Sequence, residues 1–301
     1  MKAIEIHNLS KSYNKGKTQA LCDISFDVKR GELFGLIGPD GAGKTTLFQL
    51  LTTLLKPDAG SATVDGYDIV KEYRLIRSRV GYMPGRFSLY PDLSVEENLQ
   101  FFAALFGVSV EESYDLVAPI YKQIEPFRTR RAGKLSGGMK QKLALSCALI
   151  HRPSVLFLDE PTTGVDAVSR SEFWDMLAGL KERGITILVS TPYMDEASRC
   201  DRIALCNEGR ILGIDTPEGI VRGFNGRLYG ISAKNMFTLL ERTREMEGVV
   251  ECYPFGERHH LVADSSFSIE RFTRQLSDIE GLEIASVEPT IEDMFIKLMK
   301  R

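Results

Sequence analysis

The chain has 301 residues, 43% hydrophobic and 26% charged, with a formal net charge of −3. That is material for one large or two modest globular domains, and the balance offers no electrostatic case for nucleic acid as a partner. Met1 to His7 alternate like a strand and lack the apolar core of a secretory signal, and no apolar run approaches the roughly 18 residues of a membrane span.

The five cysteines (Cys22, Cys147, Cys200, Cys206 and Cys252) form no CxxC pair and leave an odd count. This favours free thiols in a reducing cytosol over a disulfide framework or a zinc site. The chain is therefore expected to be cytoplasmic, with any membrane link supplied by a partner.

In chain order, residues 3–8 and Leu21–Val28 read as strands around a polar turn, Asn14-Lys15-Gly16-Lys17. Tyr13 stands just before that turn, where packing along the strand is the simplest reading. The apolar run Leu33–Ile37 then leads into Gly38-Pro39-Asp40-Gly41-Ala42-Gly43-Lys44-Thr45-Thr46, which fits the phosphate-binding pattern G-x-x-x-x-G-K-[ST]. Leu47, Leu50, Leu51, Leu54 and Leu55 follow with helical spacing, so the loop has the strand-to-helix context it needs. Backbone N–H groups of such a loop curl around phosphates, and the helix N-terminus adds its positive end. The pattern predicts that Lys44 reaches the β- and γ-phosphates of a nucleoside triphosphate and that Thr45 ligates Mg²⁺.

Further along, Lys56–Ser61 is a turn, Ala62–Val64 a short strand, and Val80–Met83 a strand ending at Pro84. The stretch 94–150 reads as mostly helical, opening on a capping-box pattern, Ser94 with Glu97. Within it, Leu135-Ser136-Gly137-Gly138-Met139-Lys140-Gln141 is a cap followed by an amphipathic helix. Val155–Leu158 is a buried strand that ends on two carboxylates, Asp159 and Glu160. Beside a triphosphate these have natural work: Asp159 in the Mg²⁺ shell, Glu160 polarising an attacking water. Ile185–Ser190 is the next buried strand, Asp195–Cys200 continues helically, and Arg202–Leu205 and Arg210–Ile214 close the sheet.

Taken in order, the phosphate loop, the LSGGM-K-Q segment, LFLDEP and Gly164-Val165-Asp166 resemble the ATP-binding cassette of ABC transporters over about residues 1–222. The resemblance implies an α/β phosphate-loop NTPase fold: an antiparallel N-terminal sheet, a parallel core sheet and a helical subdomain at about 94–150. It implies ATP and Mg²⁺ as ligands, with Tyr13 stacking on the adenine. It also implies that Ser136, Gly137 and Gly138 contact ATP bound to a second cassette, packed head to tail, with Asp166 communicating across the pair. From Gly223 the pattern changes to a small α+β region, residues 223–301, with strands at Arg227–Ser232, Gly248–Tyr253, His259–Ala263 and Leu282–Glu288 and helices at Asn235–Glu245 and Ser268–Ile279. Its ending, Pro289 to Leu298, resembles the C-terminal domain of drug-exporter (ABC-2) ATPase subunits. His259 and His260 read as strand residues; nothing nearby has metal-ligand spacing.

The sequence leaves the family pattern twice. The family's Y-M-P-Q is Tyr82-Met83-Pro84-Gly85 here, and its S-T-H is Ser190-Thr191-Pro192. The missing glutamine and histidine are the side chains expected to touch Mg²⁺, the attacking water and the γ-phosphate. A positioned group of that kind is worth ~10²–10⁴ in rate, so even the low end removes roughly 3 kcal/mol of transition-state stabilisation. The expected function is an ATPase subunit, peripheral on the inner face of the membrane, that powers a separate ABC-2 type permease. Its own site would bind ATP and hydrolyse it weakly, while its signature completes the site of a partner cassette in a homo- or heterodimer. The alternatives are a soluble cassette protein acting on ribosomes or an ATP-sensing regulator.

Overall fold

The computed structural model describes residues 1–300. The chain divides into two compact units, Met1–Pro217 and Glu218–Arg301. The first begins with a long hairpin, β1 (Lys2–Tyr13) and β2 (Thr18–Lys29). Then come β3 (Leu33–Ile37), α1 (Lys44–Leu51), β4 (Ala59–Val64), β5 (Tyr67–Asp68), α2 (Tyr73–Arg77) and β6 (Val80–Met83). The helical stretch comprises α3 (Val95–Phe106), α4 (Val110–Tyr121) and α5 (Gly137–Leu149), with 3-10 turns between the last two. The unit finishes with β7 (Val155–Asp159), α6 (Ala167–Glu182), β8 (Thr186–Thr191), β9 (Arg202–Asn207) and β10 (Arg210–Asp215).

Two sheets result. The antiparallel one has order β2-β1-β4-β5; the six-stranded one has order β10-β9-β3-β8-β7-β6 and is parallel except at its β10 edge. Every residue of β3, β7 and β8 is buried, as near-continuous apolar runs covered on both faces require. The core between the sheets gathers Ile4, Ile6, Leu36, Leu47, Phe48 and Phe157, with Phe48 edge-on to Phe157 at 5.9 Å. The α3 capping box is present: Ser94 Oγ accepts from the Glu97 N–H and the Glu97 carboxylate accepts from the Ser94 N–H. Gly107 closes the helix in the left-handed conformation. The α/β fold read from the sequence is the fold observed.

The second unit is an antiparallel sheet, order β12-β13-β11-β14, with helices. After α7 (Pro217–Arg222) come β11 (Arg227–Ser232), α8 (Met236–Arg244), β12 (Val249–Phe255), β13 (Arg258–Ala263), α9 (Ile269–Gln275), β14 (Glu283–Ser286) and α10 (Ile291–Met299). Its core holds Ile231, Leu239, Leu261 and Phe272. Its only fully buried acid among the described residues, Asp293, accepts from Tyr253 Oη at 2.6 Å, His260 Nδ1 at 2.6 Å, and the Thr290 N–H and hydroxyl at 2.7 and 2.8 Å.

Several boundaries differ from the sequence reading. Met194–Arg199 is a 3-10 turn rather than α-helix, and α9 stops at Gln275 rather than Ile279. The helix α10 has no counterpart in the expected elements. No helix of the described residues is long and apolar enough to cross a membrane.

Candidate functional site

Parallel strands deliver their C-terminal ends to one edge of the sheet, and loops there meet. Ile37 pairs with Thr191 and Asp159 with Ser190, so the exits of β3, β7 and β8 lie side by side. From β3 the chain turns through Gly38–Gly43 into α1. Gly43 caps that helix at φ 98°, a left-handed conformation in which a Cβ would also strike the Ala20 carbonyl at 2.4 Å. At Gly38 the obstacle is space: a Cβ would lie 2.1 Å from the Cys206 carbonyl.

Lys44 is buried, and its Nζ donates to the carbonyls of Gly38 (2.8 Å) and Pro39 (2.9 Å) while pairing with Glu160 Oε1 at 3.0 Å. Thr45 Oγ1 donates to Asp159 Oδ2 at 2.8 Å, and Ser190 Oγ donates to Asp159 Oδ1 at 2.7 Å. The Glu160 N–H is held by the carbonyl and hydroxyl oxygens of Ser190 at 3.1 and 3.0 Å, and the residue sits at φ 49°. The structure thus brings Lys44, Thr45, Asp159 and Glu160 to one point. Tyr13 ends β1 with its hydroxyl 3.3 Å from Thr46 Oγ1, which puts its ring beside the loop helix.

Electrostatics follow from burial. Burial, and then the Asp159 charge, push the Tyr82 phenol up, so it stays neutral beside the acids. Burial pushes the Cys206 thiol up to about 12 against the opposing pull of Lys44. Hard oxygen donors from Thr45 and Asp159, with a buried ammonium beside them, suit a divalent cation and a polyphosphate.

Ser136, Gly137 and Gly138 are placed at the head of α5, where Ser136 Oγ caps the Met139 N–H at 3.3 Å. They border α6 and the loop that precedes it: a Cβ on Gly138 would lie 2.9 Å from Ser169 Oγ, and one on Gly137 3.4 Å from the Gly164 carbonyl. Asp166 caps α6, and the Ser169 N–H it accepts, foremost, holds its carboxyl below the usual range.

Among known proteins, a Nod factor export ATP-binding protein of Burkholderia orbicola is 36% identical over 309 residues, covering 99% of this chain and 97% of that protein. The ABC transporter family model matches residues 21–163. The chain belongs to the ABC transporter family. A probable multidrug ABC transporter ATP-binding protein of Escherichia coli is 38% identical over 98% of this chain, which spans 52%, about half, of that protein's length. A solved dimeric ATP-binding cassette in a post-hydrolysis state with ADP and Pi superposes with TM-score 0.64 at 26% identity, over 71% of this chain and 98% of that one.

The two departures from the ABC pattern follow the exits of β6 and β8, the strands on either side of β7. A Cβ on Gly85 would sit 3.0 Å from the Asp159 carbonyl and 3.8 Å from Glu160 Cβ. Pro192 directly follows Thr191 at the end of β8. Sequence reasoning missed Ser190, which holds Asp159 and Glu160 together; hydroxyls that act on backbone and carboxylate across 30 or 31 residues leave no local pattern.

Proposed function

We propose that this chain is the ATP-binding subunit of an ABC exporter: it binds Mg-ATP at its own phosphate loop, hydrolyses it slowly, and completes a partner cassette's site with its LSGGM segment. The observation that carries the reading is a double clasp between the phosphate loop and the exit of β7, Lys44 with Glu160 at 3.0 Å and Thr45 with Asp159 at 2.8 Å. Lys44 and the loop N–H groups would hold the triphosphate, with Pro39, Asp40, Gly41, Ala42 and Thr46 completing the loop and Tyr13 the adenine side. Thr45 and Asp159 would hold Mg²⁺, which when bound neutralises phosphate charge. Glu160 would take the proton of the attacking water. Gly85 and Pro192 supply no side chain to orient that water, and this is the argument for slow turnover.

A membrane permease as partner is supported by an exposed apolar surface. Leu54, Tyr90, Phe101 and Leu105 are 55, 47, 39 and 64% exposed. Tyr90 packs edge-on to Phe101 at 4.7 Å, Phe101 to Phe102 at 5.5 Å, and Phe102 with Leu54 lines a cavity of about 270 Å³. Contiguous exposed apolar area of this kind marks an interaction surface. An ABC-2 permease, the inner face of the membrane, a second cassette and an accessory role for residues 223–301 belong to the same proposal. Equilibrium Mg-ATP binding and steady-state hydrolysis, measured side by side on the purified chain, test it. Tight binding with near-zero turnover is expected; turnover of about 1 per second or faster would overturn the slow site.

A further inference from the structure

We propose that Glu196 is a positioning residue for the triphosphate end of the site, acting through Thr162 and Thr191 and tied to α6 by Arg170. The inference rests on the nucleotide-binding reading above. Glu196 is only 4% exposed on the 3-10 turn Met194–Arg199. A carboxylate removed from water is costly unless its oxygens find donors. Here Oε2 accepts from Thr162 Oγ1 at 3.1 Å and from Thr191 Oγ1 at 2.5 Å. Oε1 is buried without a hydrogen bond, and the Arg170 guanidinium stands 3.8 Å away.

The two threonines belong to the two segments that frame the site. Thr162 is two residues beyond Glu160. Thr191 ends β8: its carbonyl accepts from the Gly38 N–H at 3.3 Å, where the phosphate loop begins, and its hydroxyl accepts from the Tyr193 N–H at 3.1 Å, closing the backbone around Pro192. A single carboxylate therefore ties the Glu160 segment to a loop whose position 192 contributes no hydrogen-bonding side chain. Arg170 is the outer arm. It lies over the Tyr193 ring at 4.6 Å, reaches Asp195 at 3.5 Å, and follows Ser169, which borders Gly138 of the signature segment. Any shift of the head of α6 against α5 changes how Arg170 meets the half-satisfied carboxylate. The γ-phosphate end of the site then feels how the signature is seated.

The test is the affinity of the full chain for Mg-ATP against Mg-ADP, measured by calorimetry. Glu196→Ala, and separately Thr162→Val with Thr191→Val, should weaken Mg-ATP about 10-fold while Mg-ADP stays within about twofold, the size expected for losing one or two charge-assisted hydrogen bonds. Glu196→Gln, which still accepts from both threonines, should recover most of the loss, and Arg170→Met should give a smaller change of the same sign. Parallel weakening of both nucleotides, or no change in either, overturns the inference. If Glu196→Ala does not fold, the threonine pair decides by the same ratio. A wild-type chain that binds neither nucleotide sinks the nucleotide reading and this inference with it. Wild-type binding with unaltered ratios in the variants sinks only the inference.

Discussion

The Lys44 ammonium and the Glu160 carboxylate face each other at 3.0 Å, one from the head of α1 and the other from the exit of β7, 116 positions apart in the chain. The base proposed to handle water is thereby held against the cation proposed to handle phosphate. All three Nζ donors of Lys44 are engaged by this carboxylate and the carbonyls of Gly38 and Pro39, so the phosphate contact proposed for it requires the release of at least one of them.

Lys44→Met keeps the aliphatic stem and removes the charge. Mg-ATP binding should weaken by about 100-fold or more, roughly 3 kcal/mol, as expected when two charge-assisted contacts are lost. Calorimetric titration of the purified variant checks this, and near wild-type affinity would show that the backbone loop alone holds the phosphates.

Asp159→Asn separates metal from nucleotide. The amide preserves shape but is a poorer ligand for a hard cation. Affinity for ATP with saturating Mg²⁺ should fall about tenfold or more, while ATP affinity in the presence of a chelator should change little. Equal losses under both conditions would place Asp159 in the loop's structure rather than at the metal.

Restoring both side chains, Gly85→Gln with Pro192→His, should raise single-site turnover by about 10². Gly85 is exposed, and the Asp159 carbonyl need give only a few tenths of an ångström to admit a Cβ, so the variant should fold. Unchanged turnover in a phosphate-release assay would sink the asymmetric reading.

In the second unit, burial alone would push the Asp293 carboxyl up, but the bonds from Tyr253, His260 and Thr290 outweigh it and hold the group below the usual carboxylate range. Its folded pKa is thus depressed below the unfolded value of about 3.9, so its stabilisation is complete above that value and is lost as pH falls through the folded pKa. Asp293→Asn should cost about 1–3 kcal/mol at neutral pH. It should also flatten the acid limb of Tm against pH below about 4, measured by circular dichroism. An acid limb identical to wild type would exclude Asp293 as its source.

The buried parallel strands were legible because burial on both faces leaves an unbroken apolar run, as in Val155-Leu156-Phe157-Leu158. The same holds for α3, whose start is written in Ser94 and Glu97. Strand β1 runs on to Tyr13, beyond the expected 3–8, because register shifts and a left-handed Asn8 break the alternation that periodicity relies on. Helix α10 opens on Thr290 and Asp293, a capping box in which aspartate replaces the usual glutamate, and Asp293 also serves Tyr253 and His260. Glu196, Thr162 and Thr191 gave no signal, since their bonds span a turn and two strand exits.

Glu160 occupies the left-handed region at φ 49°, where a residue with a Cβ is strained by about 1 kcal/mol. The cassette accepts that instability to aim a carboxylate at Lys44. A glycine at position 160 relaxes the backbone, so by circular dichroism Glu160→Gly should melt a degree or two later than Glu160→Ala, while a phosphate-release assay on either variant should show hydrolysis lost. With Glu160 as the proposed base, thermal stability and chemistry pull in opposite directions at this position, and selecting this chain for heat resistance alone erases the carboxylate first.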